Sequence, residues 1–261
     1  MSIIKPFSEI KCRNCDSNGF IIGNHLAVKC DCRLKYEHEL LTSNILINSG
    51  LLNEGSSYDD FKRLVDFDFS DYHGIDEEGN IKKIKKYFDE FDSDMKPFKH
   101  LHCYVYGEQG TQKSYTMRGL LSKLACNGKK VYYAFTKDLI SLMIDAERNE
   151  ESRKKLNYIQ NVDVLVLDEF DENRICLWQS GYKEKSLIVW LKYRLEVIRN
   201  STWFISNFTI EHIKESQLGE LYGDLIDRET KYGRFHFKDK FGDNVTEKEV
   251  DDMMKFIWGN D

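Results

Sequence analysis

Lys113 and Ser114 stand side by side at the end of "GEQGTQKS", a residue pair and spacing suited to phosphate chemistry. The usual phosphate-binding loop reads G-x-x-x-x-G-K-[ST]. Gly107, Lys113 and Ser114 keep their places here, and Gln112 stands where the second glycine belongs. In such a loop the lysine brings positive charge to the β- and γ-phosphates and the hydroxyl is a ligand for Mg²⁺. Backbone N–H groups of residues 109–114 wrap the phosphates, and the helix that starts there adds its dipole. The candidate binding stretch is Gly107, Glu108, Gln109, Gly110, Thr111, Gln112, Lys113, Ser114 and Tyr115. The glycines supply only backbone freedom, part of which Gly110 provides from inside the loop. Gln112 removes no charged ligand, so the stretch is either a tolerated variant or a decayed one.

Two further stretches favour the tolerated variant. "VDVLVLDEFDE" is an apolar strand ending in Asp168-Glu169. An acidic residue at that end of a central strand lies where open parallel sheets hold their ligands. Asp168 is placed to hold Mg²⁺ through water, and Glu169 to polarise an attacking water as general base. From Lys113 to Asp168 is 55 residues, room for a helix, a strand and another helix. "STWFISN" then gives a strand ending in Ser206-Asn207, and Asn207 there reaches a γ-phosphate or its attacking water. In this order the three stretches predict ATP and Mg²⁺ as ligands, with Lys113, Glu169 and Asn207 as catalytic groups.

A different chemistry sits at the N-terminus. Four of the seven cysteines fall in the first 32 residues, as "CRNC" (Cys12, Cys15) and "CDC" (Cys30, Cys32). Two thiolate pairs close a tetrahedral sulfur site around Zn²⁺, a structural site with no open position. The segment between them reads as a hairpin, with Phe20 to Ile22, a Gly23-Asn24 turn, then Leu26 to Val28. His25 is a spare ligand that four cysteines do not need. Metal binding supplies folding energy that so small a core lacks. Cys103, Cys126 and Cys176 lie in apolar or helical patterns and are expected to be buried small hydrophobes.

The elements that must position these groups follow from periodicity. Apolar runs "LHCYVYG", "KVYYAF", "VDVLVLDEF" and "TWFISNF" alternate with segments of helical period. Alternating strand and helix predicts an α/β fold, a parallel sheet with helices on both faces. We divide the chain into a zinc module with a following helix (1–48), a polar, acidic connecting segment (49–98) and the α/β domain (99–261). The 261 residues include 41% hydrophobic and 13% aromatic ones, enough for a core. A formal net charge of −6 argues against a coat of positive charge for duplex DNA, though a local basic groove is compatible with it. No apolar run is long enough for a bilayer, and the N-terminus lacks a signal-peptide pattern. A cytoplasmic protein with reduced thiols and no membrane partner is expected. Only two prolines and abundant Lys, Ile, Asn, Asp and Tyr suit an AT-rich genome, a phage's for example.

Over most of the chain these stretches resemble the DnaC/DnaI family of AAA+ helicase loaders, relatives of replication initiators and of IstB-type transposition helpers. "CRNCDSNGFI...VKCDC" is similar to the cysteine cluster before the ATPase of DnaI-type loaders, and IstB-type proteins lack it. The loop, "VLVLDEFD" and "WFISN" resemble Walker A, Walker B and sensor 1. "QLGELYGDLIDRE" resembles the arginine-finger segment, which implies that role for Arg228. The 33 residues after Arg228 are short for a full helical lid; a reduced lid agrees with the resemblance, and Arg234 is a sensor 2 candidate by position alone.

What the resemblance implies is an ATPase that loads a replicative hexameric helicase onto single-stranded DNA and forms a homo-oligomer through its ATP sites. It implies helicase docking by the cysteine module, with Tyr36, Leu40, Leu41 and Ile45 of the next helix as candidates. It also places DNA contacts after the second strand of the α/β domain, at Phe135 and Lys137, with Arg148, Arg153, Lys154 and Lys155 as a weaker set. The insertion "NRICLWQSGYKEKS" after Asp168-Glu169 is either a DNA-facing loop or a subunit contact. Two alternatives stand beside the loader: a nucleotide-gated adaptor with little turnover, and an IstB-like transposition helper.

Overall fold

The computed structural model describes residues 3–15, 17–23, 26–53, 55–72, 79–92, 101–171, 181–216 and 222–238. Strands β1 (Phe20–Gly23) and β2 (Leu26–Lys29) form the expected antiparallel hairpin, with Phe20 opposite Lys29 and Ile21 opposite Val28. Helix α1 (Asp31–Asn48) starts inside "CDC", so two of the four cysteines sit at a helix start. Helices α2 (Tyr58–Val65) and α3 (Asn80–Asp92) follow. Ser57 and Asp60 form a reciprocal capping box at the start of α2, which fixes where that helix begins.

The α/β part then runs β3 (Cys103–Tyr106), α4 (Lys113–Cys126), β4 (Val131–Phe135), α5 (Thr136–Asp145), α6 (Glu150–Asn161), β5 (Val164–Asp168) and α7 (Gly181–Lys192). A π-helical turn (Tyr193–Ile198), β6 (Ser201–Ser206), α8 (Ile210–Glu215), α9 (Asp224–Glu229) and β7 (Arg234–His236) complete it. The five strands lie in the order β4-β5-β6-β3-β7, all parallel. Because β6 lies between β3 and β5, the phosphate-loop strand and the acidic strand are not neighbours. Their ends, with that of β6, open on one edge of the sheet.

Strand side chains alternate between two buried faces. Cys103, Val105, Val164, Val166, Trp203 and Ile205 face α4 and the N-terminal helices, together with Leu46, Phe61, Leu64 and Ile84. Tyr104, Leu165, Leu167 and Phe204 face the other way, against Leu139, Ile159, Leu187, Leu191 and Ile213. Helices on both faces are as the sequence predicts. Residues of 49–98 join the first of these cores instead of standing apart. Phe67 lies so close to α4 that a Cβ on Gly119 would fall 2.2 Å from its ring. The 1–48, 49–98 and 99–261 division is retained as a proposal about chain order.

Two details differ from expectation. One helix was expected between β4 and β5, and two occur. Asn149 Oδ1 accepts from the N–H groups of Glu151 (2.9 Å) and Ser152 (3.3 Å), ending one helical run and capping the next. Cys126 is exposed, because it is the last residue of α4 and its helix face has turned outward; Cys103 is buried as expected. Cys176, His25, the 172–180 part of the insertion, residues 217–221 and the lid segment 239–261 fall outside the described residues.

Candidate nucleotide site and cysteine centre

The loop after β3 is shaped by Gly107, Gly110 and Lys113. Gly107 has φ 147°, and a Cβ there would meet the Phe237 carbonyl at 2.0 Å. That carbonyl is held close because Phe237 N–H donates to the Tyr106 carbonyl at 2.7 Å. Gly110 turns the loop with φ 89°, and Gln112 enters α4 from the left-handed region at φ 61°, ψ 16°. The glycine expected at that position is therefore missing where the backbone favours one. The loop nonetheless closes. Lys113 Nζ is buried and donates to the carbonyls of Gly107 (2.8 Å) and Glu108 (2.6 Å) and to Thr111 Oγ1 (3.2 Å). Burial draws its pKa down to about 8, against the pull of Asp168 and Glu108, which favour its charge.

A cavity of about 460 Å³ lies over this loop. Gln109 to Tyr115 form one wall, Asp168, Glu169 and Asp171 a second, and Ser206 and Asn207 a third. The predicted groups Lys113, Ser114, Asp168, Glu169 and Asn207 thus meet in one place, brought there by the strand order. Asp168 is buried and its Oδ1 accepts from Glu169 N–H at 2.7 Å. Thr136 Oγ1 donates to the Asp168 carbonyl at 2.8 Å, tying β5 to the start of α5. Glu169 has φ 52°, a left-handed residue that bends the chain out of β5 toward the cavity. The donor set fits Mg²⁺ and phosphate: one buried ammonium, one hydroxyl, and carboxylates held at a strand end.

Three residues here were not anticipated. Tyr133 of β4 donates its phenol proton to Asp168 Oδ2, and burial pushes that phenol's pKa up. Arg118 of α4 stacks its guanidinium 5.5 Å from the Tyr133 ring centre and donates to the Leu51 carbonyl at 2.5 Å. Asp171 is buried on the acidic wall. Only Asp171 stood in a stretch already marked in the sequence, as the second aspartate of "DEFD". Tyr133 looked like an ordinary strand aromatic.

Other candidates sit elsewhere. Phe135 is partly exposed on the cavity rim and Lys137 is exposed at the start of α5. Arg228 is exposed on α9, with Nη2 to Glu196 Oε1 at 2.5 Å and Nε to Glu229 Oε1 at 2.8 Å, and it is absent from the cavity wall of its own chain. These hydrogen bonds, Glu229 first, raise its pKa.

At the other end of α1, the ligand atoms of Cys12, Cys15, Cys30 and Cys32 lie within 4.8 Å of one another. Cys12 and Cys30 sulfurs are 3.8 Å apart, and those of Cys15 and Cys32 are 3.4 Å apart. A tetrahedron of Zn–S bonds of about 2.3 Å has edges of about 3.8 Å, so the cluster fits that metal. The Asn14 backbone N–H, followed by Cys32, draws the Cys12 thiol down to about 7, whereas burial and then the neighbouring thiols push Cys32 up. The hairpin closes the set: Cys30 N–H donates to the Gly19 carbonyl at 2.9 Å, and Gly19 N–H to Cys15 Sγ at 3.4 Å.

Among the described residues no helix is long and apolar enough to cross a membrane. No family model matches the chain. It is 28% identical over 148 residues to the replicative helicase loader DnaC of Escherichia coli K12, covering 56% of each chain. It is 29% identical over 152 residues to DnaC of Buchnera aphidicola subsp. Baizongia pistaciae, covering 56% of this chain and 57% of that one. The match thus spans about half the length of these curated relatives. A crystal structure of DnaI shares the fold, with TM-score 0.51 and 20% identity over 69% of this chain and 93% of that one. The chain is therefore similar in sequence to DnaC helicase loaders over 148–152 residues and similar in fold to DnaI, with its phosphate loop, acidic strand end and Ser-Asn strand end on one cavity.

Proposed function

We propose that the protein is an ATP-dependent loader that binds a replicative ring helicase and delivers it to single-stranded DNA. The observation that carries this reading is the meeting of Lys113, Ser114, Asp168, Glu169 and Asn207 on one cavity in a chain related to DnaC. Lys113 leaves the loop carbonyls to meet the phosphates. Ser114 and Asp168 hold Mg²⁺, which neutralises phosphate charge when bound. Glu169 takes the proton of the attacking water, and Asn207 orients that water against the γ-phosphate. Arg228 completes the charge set from a neighbouring copy, which makes the ATP site a subunit contact.

The helicase docks on the N-terminal module. Support comes from apolar side chains left in solvent there: Phe20, Ile21, Val28, Leu34 and Leu41. Phe135 and Lys137 contact the DNA strand, the ring as a stacking platform and the ammonium on a phosphate. The second reading, a nucleotide-gated adaptor with little turnover, draws on Gln112, whose left-handed backbone lacks the glycine that suits it.

One experiment separates them. ATP hydrolysis is measured with and without single-stranded DNA, for the native protein and Glu169→Gln, alongside capture of partners by the tagged chain. Hydrolysis that rises with DNA and is lost in Glu169→Gln, with a hexameric helicase captured, supports the loader. Tight nucleotide binding with negligible hydrolysis in every condition supports the adaptor. No binding at all removes both.

A further inference from the structure

Ser114 and Asp168 both line the cavity, and so does a third side chain that the proposed mechanism leaves unused. It is Tyr133, whose hydroxyl donates to Asp168 Oδ2. The Asp168 carboxylate therefore has both oxygens engaged, Oδ1 by Glu169 N–H and Oδ2 by the phenol.

The phenol is also held from behind. Tyr133 N–H donates to the Ser49 carbonyl at 2.9 Å, so the chain leaving α1 pairs with β4 at the sheet edge. Arg118 covers the Tyr133 ring and is itself tied to the Leu51 carbonyl at 2.5 Å. Gly50, between these two anchors, has φ 69°, and a Cβ there would meet the Tyr133 carbonyl at 2.4 Å. Residues 49–51 thus clamp Tyr133 by its backbone and its ring face. That clamp is the direct continuation of α1, whose first turn contains Cys32.

We propose that Tyr133 is the gate of the metal position: its phenol holds Asp168 Oδ2 until a divalent cation arriving with nucleotide displaces it. This rests on the nucleotide-binding reading above and adds a residue to it. An O–H bond to a buried carboxylate is among the stronger hydrogen bonds, and breaking it opposes cation entry. Tyr133 is a positioning residue, acting through Asp168. The Ser49–Leu51 clamp sets how far the phenol can retreat, so a shift of α1 changes the ease of metal entry.

The test is a Mg²⁺ titration of binding, with a fluorescent non-hydrolysable ATP analogue, to the native protein and to Tyr133→Phe. Phe keeps the ring under Arg118 and removes only the hydroxyl; far-ultraviolet circular dichroism checks the fold. The variant is expected to reach half-saturation at about ten-fold lower Mg²⁺, with analogue affinity in EDTA unchanged. An equal or higher Mg²⁺ requirement overturns the gate. A native protein that binds no analogue at any Mg²⁺ concentration removes the nucleotide reading instead. A second measurement needs no functional variant. In protein labelled with 3-fluorotyrosine, the ¹⁹F signal of Tyr133, assigned by its loss in Tyr133→Phe, shifts when Mg²⁺ joins bound analogue. A signal unmoved by that addition overturns the proposal even if the titrations differ.

Discussion

Gln112 leads into Lys113 from the left-handed backbone region, so the residue that departs from the loop pattern sits immediately before the group that defines it. A side chain in that region carries a penalty of about 1–2 kcal/mol that glycine escapes. Glycine loses part of this advantage through its more flexible unfolded chain. Gln112→Gly is therefore expected to stabilise the protein by up to about 1 kcal/mol and to leave Lys113 in place. Denaturant unfolding measures it; a variant less stable than the native protein sinks the strain argument.

Lys113 gives a pH signature. Its pKa is drawn down to about 8 by burial, from an ordinary 10.5, with Asp168 and Glu108 opposing the shift. The charged form is thus disfavoured by folding. The penalty is present in full below pH 8 and fades as pH rises toward 10.5. Bound phosphate restores the charge, so binding between about pH 8 and 10 takes up a proton. Calorimetry of nucleotide binding at pH 9 in two buffers of different ionisation heat measures that uptake. It is expected to approach one proton and to vanish at pH 6.5.

Arg228 is expected to be dispensable for folding and needed for turnover. Its ion pairs with Glu196 and Glu229 are exposed, so Arg228→Ala changes stability by less than about 1 kcal/mol. Hydrolysis by that variant alone is predicted to fall by about 10³-fold or more. Mixing it with Glu169→Gln restores part of the activity if the arginine works across an interface. Native-level hydrolysis by Arg228→Ala on its own makes it a surface pair only.

The cysteine cluster predicts about one zinc per chain. Cys30→Ser is expected to lose the metal and unfold the β1-β2 hairpin. The α/β core survives, because its buried residues come from α1 onward apart from Ile3 and Ile4. Metal analysis with hydrogen exchange of residues 12–30 checks both halves. An ordered hairpin in a metal-free chain contradicts the assignment.

Arg194 carries a stability prediction. It is fully buried and donates to the carbonyls of Gln160 (2.6 Å), Val162 (3.0 Å) and Ser201 (2.8 Å) and to Thr202 Oγ1 (2.9 Å). It thereby ties the end of α6 to the start of β6. Arg194→Leu removes all of these donors, leaving the Val162 carbonyl only Asn200 Nδ2 at 3.0 Å, and is expected to cost about 3–5 kcal/mol. Arg194→Lys recovers little, since one ammonium cannot span the same fork of acceptors. Urea unfolding midpoints decide it.

What the sequence determined was local. The four buried runs became strands because apolar side chains at period two suit a sheet covered on both faces. The two cysteine pairs were legible because metal ligands must be of a given type and close in the chain. Lys113, Ser114, Asp168, Glu169 and Asn207 were legible because each ends a strand or opens a helix, where parallel sheets expose polar groups. The tertiary structure decided what depends on neighbours distant in the chain. Gln112 shows its left-handed backbone only once α4 is seated. Tyr133 meets Asp168 because β4 and β5 pair in one register, 35 residues apart in the chain. Arg194 is an anonymous charge in "KYRLEV" until folding removes water from it and offers backbone carbonyls and one hydroxyl instead. A pattern in sequence records propensity along the chain, whereas these contacts arise from desolvation and strand register, which no short stretch contains.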